Sequence, residues 1–284
     1  MEFLINQTFN GLSYAALLFL LAGGFTLIFG VMKVVNIAQG SFFLVGGYVG
    51  YTVFSLTGSF YLGFLGACVV IGLLGITLEH LFLQDLANQN LRMMLMTMGM
   101  ALFFQDLSLV IWGGNPVNLA VPIYLTQIIR IERFNFVIFR FFMIGAAALL
   151  FTILWWIQKK TRIGSTVRAA VDNAETSEGL GINVTLVKMG VFGIGAALSA
   201  FGGVIACGFL ALYPGLDFEL LPYTFVIVVV GGMGSLTGAL VGSIIVGIID
   251  NFGKALFPEF SYFTLFVPMV LVLAWRPTGL FGRK

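Results

Sequence analysis

Arg168-Ala-Ala-Val-Asp-Asn-Ala-Glu-Thr-Ser-Glu-Gly-Leu-Gly-Ile-Asn183 is the stretch on which the reading of this chain turns. It is polar, rich in charge and small residues, and set between two long apolar runs, 137–157 before it and 184–212 after it. Hydrocarbon offers no hydrogen-bond partners to such a segment, so it must face water or protein. A chain that is apolar nearly everywhere else, with one conspicuous polar island, is expected to use that island to contact a soluble partner.

Composition fixes the class. Of 284 residues, 60% are hydrophobic and 9% charged, whereas a soluble domain carries roughly 25% charged residues. So few charges cannot cover a water-exposed surface. Apolar runs near the ~20 residues needed to cross a bilayer as helices recur along the chain. They lie at 8–31, 41–57, 61–82, 93–112, 137–157, 184–212, 221–232, 235–252 and 261–275. The expected fold is all-α: one polytopic bundle over 1–284, with about eight to nine membrane segments, some of them broken. The run 221–232 is too short for a clean span and reads as a half-helix, with Pro222 suited to its first turn. The alternation of a β-barrel is absent. The start Met1-Glu2-Phe3 lacks the basic region of a cleavable signal peptide, so the first run is expected to be retained.

The 36 glycines exceed the usual ~7%. Small residues let membrane helices approach closely. Gly46-xxx-Gly50, Gly195-xxx-Ser199-xxx-Gly203 and Gly238-xxx-Gly242 fit that use, and Gly231, Gly232 and Gly234 join them as packing or helix-break positions. Residues 11–30 and 195–212 are both Ala/Leu/Gly/Phe helices followed by a polar break, 36–40 and 213–219, and then a further apolar run. That parallel suggests an internal repeat, a common transporter plan.

Basic residues orient the chain. Lys159, Lys160, Arg162 and Arg168 share one loop, and Arg276, Arg283 and Lys284 share the tail. Placing both on the cytoplasmic side puts Lys33 and Arg92 inside and the N-terminus outside. Arg130 and Arg133 then fall outside in the 113–136 connection, against the rule, with Arg140 nearby.

Within the polar island, Asp172-x-x-Glu175 reads as a capping box, with Asp172 the N-cap. Gly179 and Gly181 can end the turn. Val167, Ala170, Val171 and Ala174 recur at helical spacing. Short helices with an apolar stripe and a charged face are expected here: a docking element, with an ordinary solvated connection as the alternative.

Other chemistry is sparse. No phosphate-loop pattern, Ser-His-Asp set or metal cluster is recognisable, so catalytic and metal-binding residues are not expected, and no cofactor is assigned to this chain. The net charge of +2 and the lack of a basic stripe argue against nucleic acid. Cys68 and Cys207 read as small buried apolar residues, and His80, beside Glu79, as interfacial. Asp106 and Asp250 are charges inside spans, with Lys254 an i,i+4 partner for Asp250. Asn36, Gln39 and Ser41 cluster at a helix break that could line a substrate path. Tyr213, Pro214, Asp217 and Glu219 form a second break.

Several segments carry a family resemblance. Residues 168–184, followed by a Gly/Ala helix to Gly203, resemble the cytoplasmic coupling segment of ABC-importer permeases of the branched-chain amino acid type. The pattern Ile-Phe-Gly-Val-Met-x-x-Val-Asn-x-Ala-x-Gly at 28–40 is similar to that family's entry to its second helix. Val230-Gly-Gly-Met-Gly-Ser-Leu-Thr-Gly-Ala-Leu-Val-Gly242 resembles its Gly-rich signature, and Arg276-Pro-Thr-Gly-Leu-Phe281 its C-terminal ending. One departure stands out: family members commonly carry His-Gly-Glu where this chain has Gln39-Gly40-Ser41. The resemblance implies a multi-pass permease of a bacterial inner membrane. Its coupling segment is about 162–183, with Arg168, Asp172, Glu175, Glu178, Gly179 and Gly181 facing an ATPase. It also implies a second homologous permease, two cytoplasmic ATPase subunits that bind ATP and Mg, and an extracytoplasmic solute-binding protein. The implied solute is a branched-chain or hydrophobic amino acid, with urea, an amide or an organic acid as the alternative. A self-contained secondary transporter or a non-transporting scaffold are competing classes.

Overall fold

A computed structural model describes residues 2–86, 89–131 and 134–282; Arg133, Arg283 and Lys284 lie outside the described residues. The N-terminal half begins with α1 (Glu2–Met32), α2 (Gln39–Thr57), α3 (Phe60–Leu78) and α4 (Asn90–Trp112). Then come a short α5 (Ile123–Thr126), a hairpin of β1 (Ile128–Ile131) and β2 (Phe134–Val137), and α6 (Ile138–Lys160). The polar island forms α7 (Arg162–Asp172) and α8 (Ala174–Gly179). The last group is α9 (Val184–Phe209), α10 (Leu216–Gly231), α11 (Leu236–Leu256) and α12 (Ser261–Trp275). A π-helical turn at Glu79–Leu83 extends α3.

Among the described residues, six helices are long and apolar enough to cross a membrane: α1, α3 with its extension, α4, α6, α9 and α11. The expected all-α fold has one exception, the two-stranded antiparallel hairpin in which Ile128 pairs with Val137 and Ile131 with Phe134. The 113–136 connection is therefore structured; its strands are four residues each, too short to show a period. The short helix expected over 221–232 begins earlier than its apolar run. α10 starts at Leu216 and carries Pro222 in its interior. Pro222 has no amide to donate to the Phe218 carbonyl, so one rung of the helical ladder is lost there.

Burial sorts the helices. Of the most apolar window of α1 and of α9, 72% is buried, against 28% for α3 and α4 and 22% for α6. α1 and α9 are thus the axis of the bundle, and the helices around them turn Leu65, Leu73, Phe103 and Leu149 outward, as a lipid-facing surface would.

The contacts follow a two-fold plan. α1 packs on α11 as α9 packs on α3. α2 packs on α9 as α10 packs on α1, and α4 on α2 as α12 on α10. The two axial helices run antiparallel, with Gly24 beside Gly195 and Leu20 beside Gly202. Each is followed, within two residues, by a non-glycine residue with left-handed backbone, Lys33 (φ 53°) after α1 and Ala211 (φ 67°) after α9, before the next helix starts. These are the two breaks that the sequence sets in parallel.

Small residues make the close contacts. A Cβ on Gly11 would sit 2.9 Å from the Ile248 Cα, and one on Gly247 would sit 2.7 Å from the Ala15 Cβ. Gly46 abuts Ala200, and Gly203 abuts the Phe43 carbonyl. With lipid as solvent, such backbone-level contact replaces the hydrophobic effect as the source of helix association.

Candidate functional site

The polar island is tied firmly to the bundle at both ends. α6 ends in Lys159 and Lys160, cations that suit the negative end of a helix. Thr161 Oγ1 donates to the Ile157 carbonyl at 2.6 Å and accepts from the Gly164 amide at 3.3 Å. Gly164 is pressed against the carbonyls of Ile157 and Gln158, where no side chain would fit. Arg168 then reaches back to donate to the Gln158 carbonyl. α7 is therefore fixed to the end of α6 by a cap, a glycine contact and a cation, and it also touches α1 and α9.

Asn173 closes α7 and opens α8, its Oδ1 accepting from the Thr176 amide at 2.9 Å. Asp172 is the last residue of α7, not the N-cap expected from the sequence. Asn173 closes α7 with its backbone amide, which donates to the Ala169 carbonyl at 3.0 Å, and opens α8 with its side chain, so one residue serves both helix ends. Glu175 falls in the first turn of α8, where a negative charge is favoured. α8 ends as its glycines require: Gly181 takes φ 86°. The Ile182 amide donates to the Ser177 carbonyl at 3.0 Å and the Gly181 amide to that of Glu178 at 2.9 Å, the two bonds of a Schellman motif. Asn183 caps α9 by accepting from the Leu186 amide at 3.0 Å.

This geometry leaves a compact knob. Asp172, Glu175 and Glu178 are exposed, with Leu180 79% exposed at the tip. A shallow depression lined by Glu178, Gly181, Ile182, Asn183 and Val184 lies beside them. Ala170 is buried and holds the knob to the bundle. Sequence reading missed Thr161, Asn173 and Asn183 as caps and Leu180 as an exposed apolar tip. The signal for the caps was a Thr or Asn directly before each helical run.

The second candidate cluster sits where the two breaks meet. Asn36 lies in the break after α1, and Gln39 and Ser41 are in the first turn of α2. Asn36 Oδ1 accepts from the Ala38 amide at 3.1 Å, and its Nδ2 donates to Gln39 Oε1 at 3.5 Å. Gln39 Nε2 donates to the Gly195 carbonyl at 3.1 Å and to Ser199 Oγ. That bridge needs Gly24, since a Cβ there would sit 2.5 Å from Gln39 Nε2. Ser41 Oγ is 2.9 Å from Asp217 Oδ2 and 3.3 Å from the Ala101 carbonyl. Asn36, Gln39, Ser41, Ser199 and Asp217 are all buried, none more than 4% exposed. The structure brings the three predicted residues together and adds Ser199 and Asp217, but it closes them inside the bundle as a polar seam. The departure from His-Gly-Glu fits that setting: Gln39 and Ser41 are neutral and can be satisfied without a buried charge pair.

The second break was read too wide. Only 210–215 is non-helical between α9 and α10, and Asp217 and Glu219 stand in the first turn of α10. Glu219 Oε2 accepts from the Tyr213 hydroxyl at 2.7 Å. That bond and partial burial push Tyr213 up to about 12.

The Gly-rich segment divides its labour. Gly231, Gly238 and Gly242 pack α10 against α11, with a Cβ on Gly242 only 2.6 Å from the Ile227 carbonyl. Gly232 and Gly234 are turn residues, at φ 100° and 82°, and Gly234 lies against Gly30 of α1. The tail folds back on this turn. The Leu280 and Phe281 amides donate to the carbonyls of Val230 and Gly231, both at 2.9 Å, so the Arg276-Pro-Thr-Gly-Leu-Phe281 stretch caps α10.

Asp250 is 1% exposed, and its Oδ2 lies 2.7 Å from Lys254 Nζ, the i,i+4 pairing expected from the sequence. Tyr223 donates to Asp250 at 3.3 Å. Asp106 is exposed on α4 and His80 is bonded to Gln84 at 2.9 Å. Cys68 and Cys207 are free thiols.

Comparison with known proteins agrees with this layout. The family model described as "Branched-chain amino acid transport system / permease component" matches residues 7–273. The chain is 26% identical to the high-affinity branched-chain amino acid transport system permease protein BraD of Pseudomonas aeruginosa, covering 98% of this chain and 96% of that one. It is 28% identical to LivH of Escherichia coli (strain K12), covering 99% and 96%. It is 27% identical to a probable LivH of Methanocaldococcus jannaschii, covering 84% and 77%.

Proposed function

Because this chain belongs to the branched-chain amino acid transport permease family, we propose that it is the membrane-spanning permease of an ATP-driven importer for branched-chain or other hydrophobic amino acids. Its relatives in Pseudomonas and Escherichia are named for that transport. The observation that carries the mechanism is the α7–α8 knob: exposed carboxylates and an apolar tip on a rigid mount, in a chain with no phosphate loop of its own. The knob is the handle, and the engine is a separate ATPase.

The layout suits that work. The knob is continuous with α9 through the Asn183 cap, and α9 is the buried axis touching α1, α2 and α3. A push on the knob therefore reaches the core without passing through a flexible linker. Backbone-level glycine contacts let α9 shift against α2 and α3 without repacking long side chains. Two packings of the bundle that differ by only a few kcal/mol suffice for alternating access.

In this reading nine helices cross the bilayer: the six long spans together with α2, α10 and α12. The N-terminus is outside and α7–α8 inside, in a bacterial inner membrane. Two ATPase subunits that bind ATP and Mg grip two permeases, this chain and a homologous one, and an extracytoplasmic binding protein delivers the solute. The test is reconstitution in vesicles. The complete assembly should accumulate leucine, isoleucine or valine only with ATP and binding protein, and the lone permease should accumulate nothing. Uptake by the lone chain without nucleotide would overturn the proposal.

A further inference from the structure

Glu79 is a buried carboxylate that neither the seam nor the knob uses. It is 1% exposed, and its Oε2 has no hydrogen-bond partner among the described residues. A polar atom sealed away without a partner is costly and needs a reason. Glu79 opens the π-helical turn that ends α3, a distortion often found at working positions in helices.

The packing register shows what faces it. α3 and α9 run antiparallel, with Phe64 on Phe201, Gly72 beside Ala197, and Ile76 beside Gly193. One further turn along each helix brings Glu79 opposite Lys188. The π-helical turn does contact α9, the helix that carries Lys188. His80 is exposed and occupied with Gln84, and Arg92, on the first turn of α4, is also exposed. That leaves Lys188, half-buried on α9 just over one turn past the Asn183 cap. Among the described residues no ion pair joins Lys188 to Glu79, so the two charges face each other across the α3–α9 contact without meeting.

We propose that Glu79 is the residue through which the coupling knob acts on α3. In the alternate packing α9 moves at its cytoplasmic end, Lys188 closes on the free Glu79 oxygen, and α3 is carried with it. The unpartnered oxygen destabilises the present packing, and the ion pair stabilises the other, so the pair biases the switch. This rests on the importer reading above.

The experiment uses the complete transporter in vesicles, with ATP hydrolysis and amino acid uptake measured together. Glu79→Gln and Lys188→Met should each leave ATP hydrolysis running while uptake per ATP falls by about tenfold, the scale of a single coupling contact. The exchange Glu79→Lys with Lys188→Glu should recover most of that loss. A purely structural role predicts lower assembly yield with unchanged uptake per ATP, and no recovery by the exchange; that result overturns the proposal. An independent reading is Glu79→Cys with Lys188→Cys, in a chain whose Cys68 and Cys207 are Ser. Cross-linking that rises several-fold between nucleotide-free and ATP-trapped states supports the latch, and equal cross-linking in both refutes it. Should the wild-type assembly itself fail to couple ATP to uptake, the importer reading fails first.

Discussion

Lys254→Met and Asp250→Asn remove opposite ends of the same ion pair, yet they should differ sharply in cost. Asp250 is 1% exposed while Lys254 is 48% exposed. Losing the lysine leaves a sealed carboxylate with only the Tyr223 hydroxyl at 3.3 Å as donor. Breaking a buried pair from one side costs 3–5 kcal/mol; the surviving Tyr223 bond places this case at the lower end, about 3 kcal/mol. Losing the carboxylate instead leaves an ammonium that water can solvate. It also keeps the Tyr223 hydroxyl at 3.1 Å and the faces of Tyr14 and Tyr223, 5.4 and 5.3 Å away. That change costs about 1 kcal/mol, the range of partly exposed pairs and cation–π contacts. The gap of about 2 kcal/mol is roughly a 30-fold difference in the unfolding constant. Denaturant titration of the purified permease in mild detergent reads it directly. The double change should be milder than Lys254→Met alone, because the uncompensated charge is gone. Equal costs for the two single changes, or a harmless Lys254→Met, would refute the view that burial of Asp250 dominates the cluster.

Three further outcomes follow from the knob and the Gly-rich segment. Glu175→Arg and Glu178→Arg reverse exposed charges and should uncouple ATP hydrolysis from uptake with no change in thermal stability; normal coupling in both would remove the docking role. Gly242→Leu forces atoms against the Ile227 carbonyl, where even a Cβ would lie at 2.6 Å; it should cost about 1–3 kcal/mol by overpacking, and wild-type stability would contradict the close α10–α11 contact. Thr176→Cys, at an exposed position on α8 in a background without Cys68 and Cys207, should react with an impermeant thiol reagent only from the cytoplasmic side; Ala170 is buried and unsuited to that test.

Membrane class, the main helices and the short helices of the polar island were legible in the sequence because each rests on a strong local signal. Apolar runs at 8–31, 93–112 and 137–157 fall within α1, α4 and α6 to within a residue. Where reading failed, a tertiary partner had replaced a local one. The charges of Asp217 and Glu219 read as a loop in sequence, yet both stand in the first turn of α10. Ser41, from a distant helix, donates to Asp217 Oδ2, and Tyr213, from the preceding break, donates to Glu219; Asp217 Oδ1 has no hydrogen-bond partner among the described residues. The Asp172 capping box lost by one residue to Asn173, a choice between adjacent cap formers that pattern alone does not decide. Asn36, Gln39 and Ser41 were correctly grouped. Their enclosure was not visible, because it depends on Gly24 and Gly195 in α1 and α9, far along the chain. Glu79 stood out in sequence only as the neighbour of His80, because its burial depends on α9, far along the chain.

The two-fold plan is broken in one place. α1 to α4 and α9 to α12 are matched, but only one α7–α8 knob exists among the described residues. A lone copy therefore presents an off-centre handle, and force applied there would tip the barrel sideways as well as rock it. Two copies facing each other cancel that torque, each supplying the counterweight the other lacks.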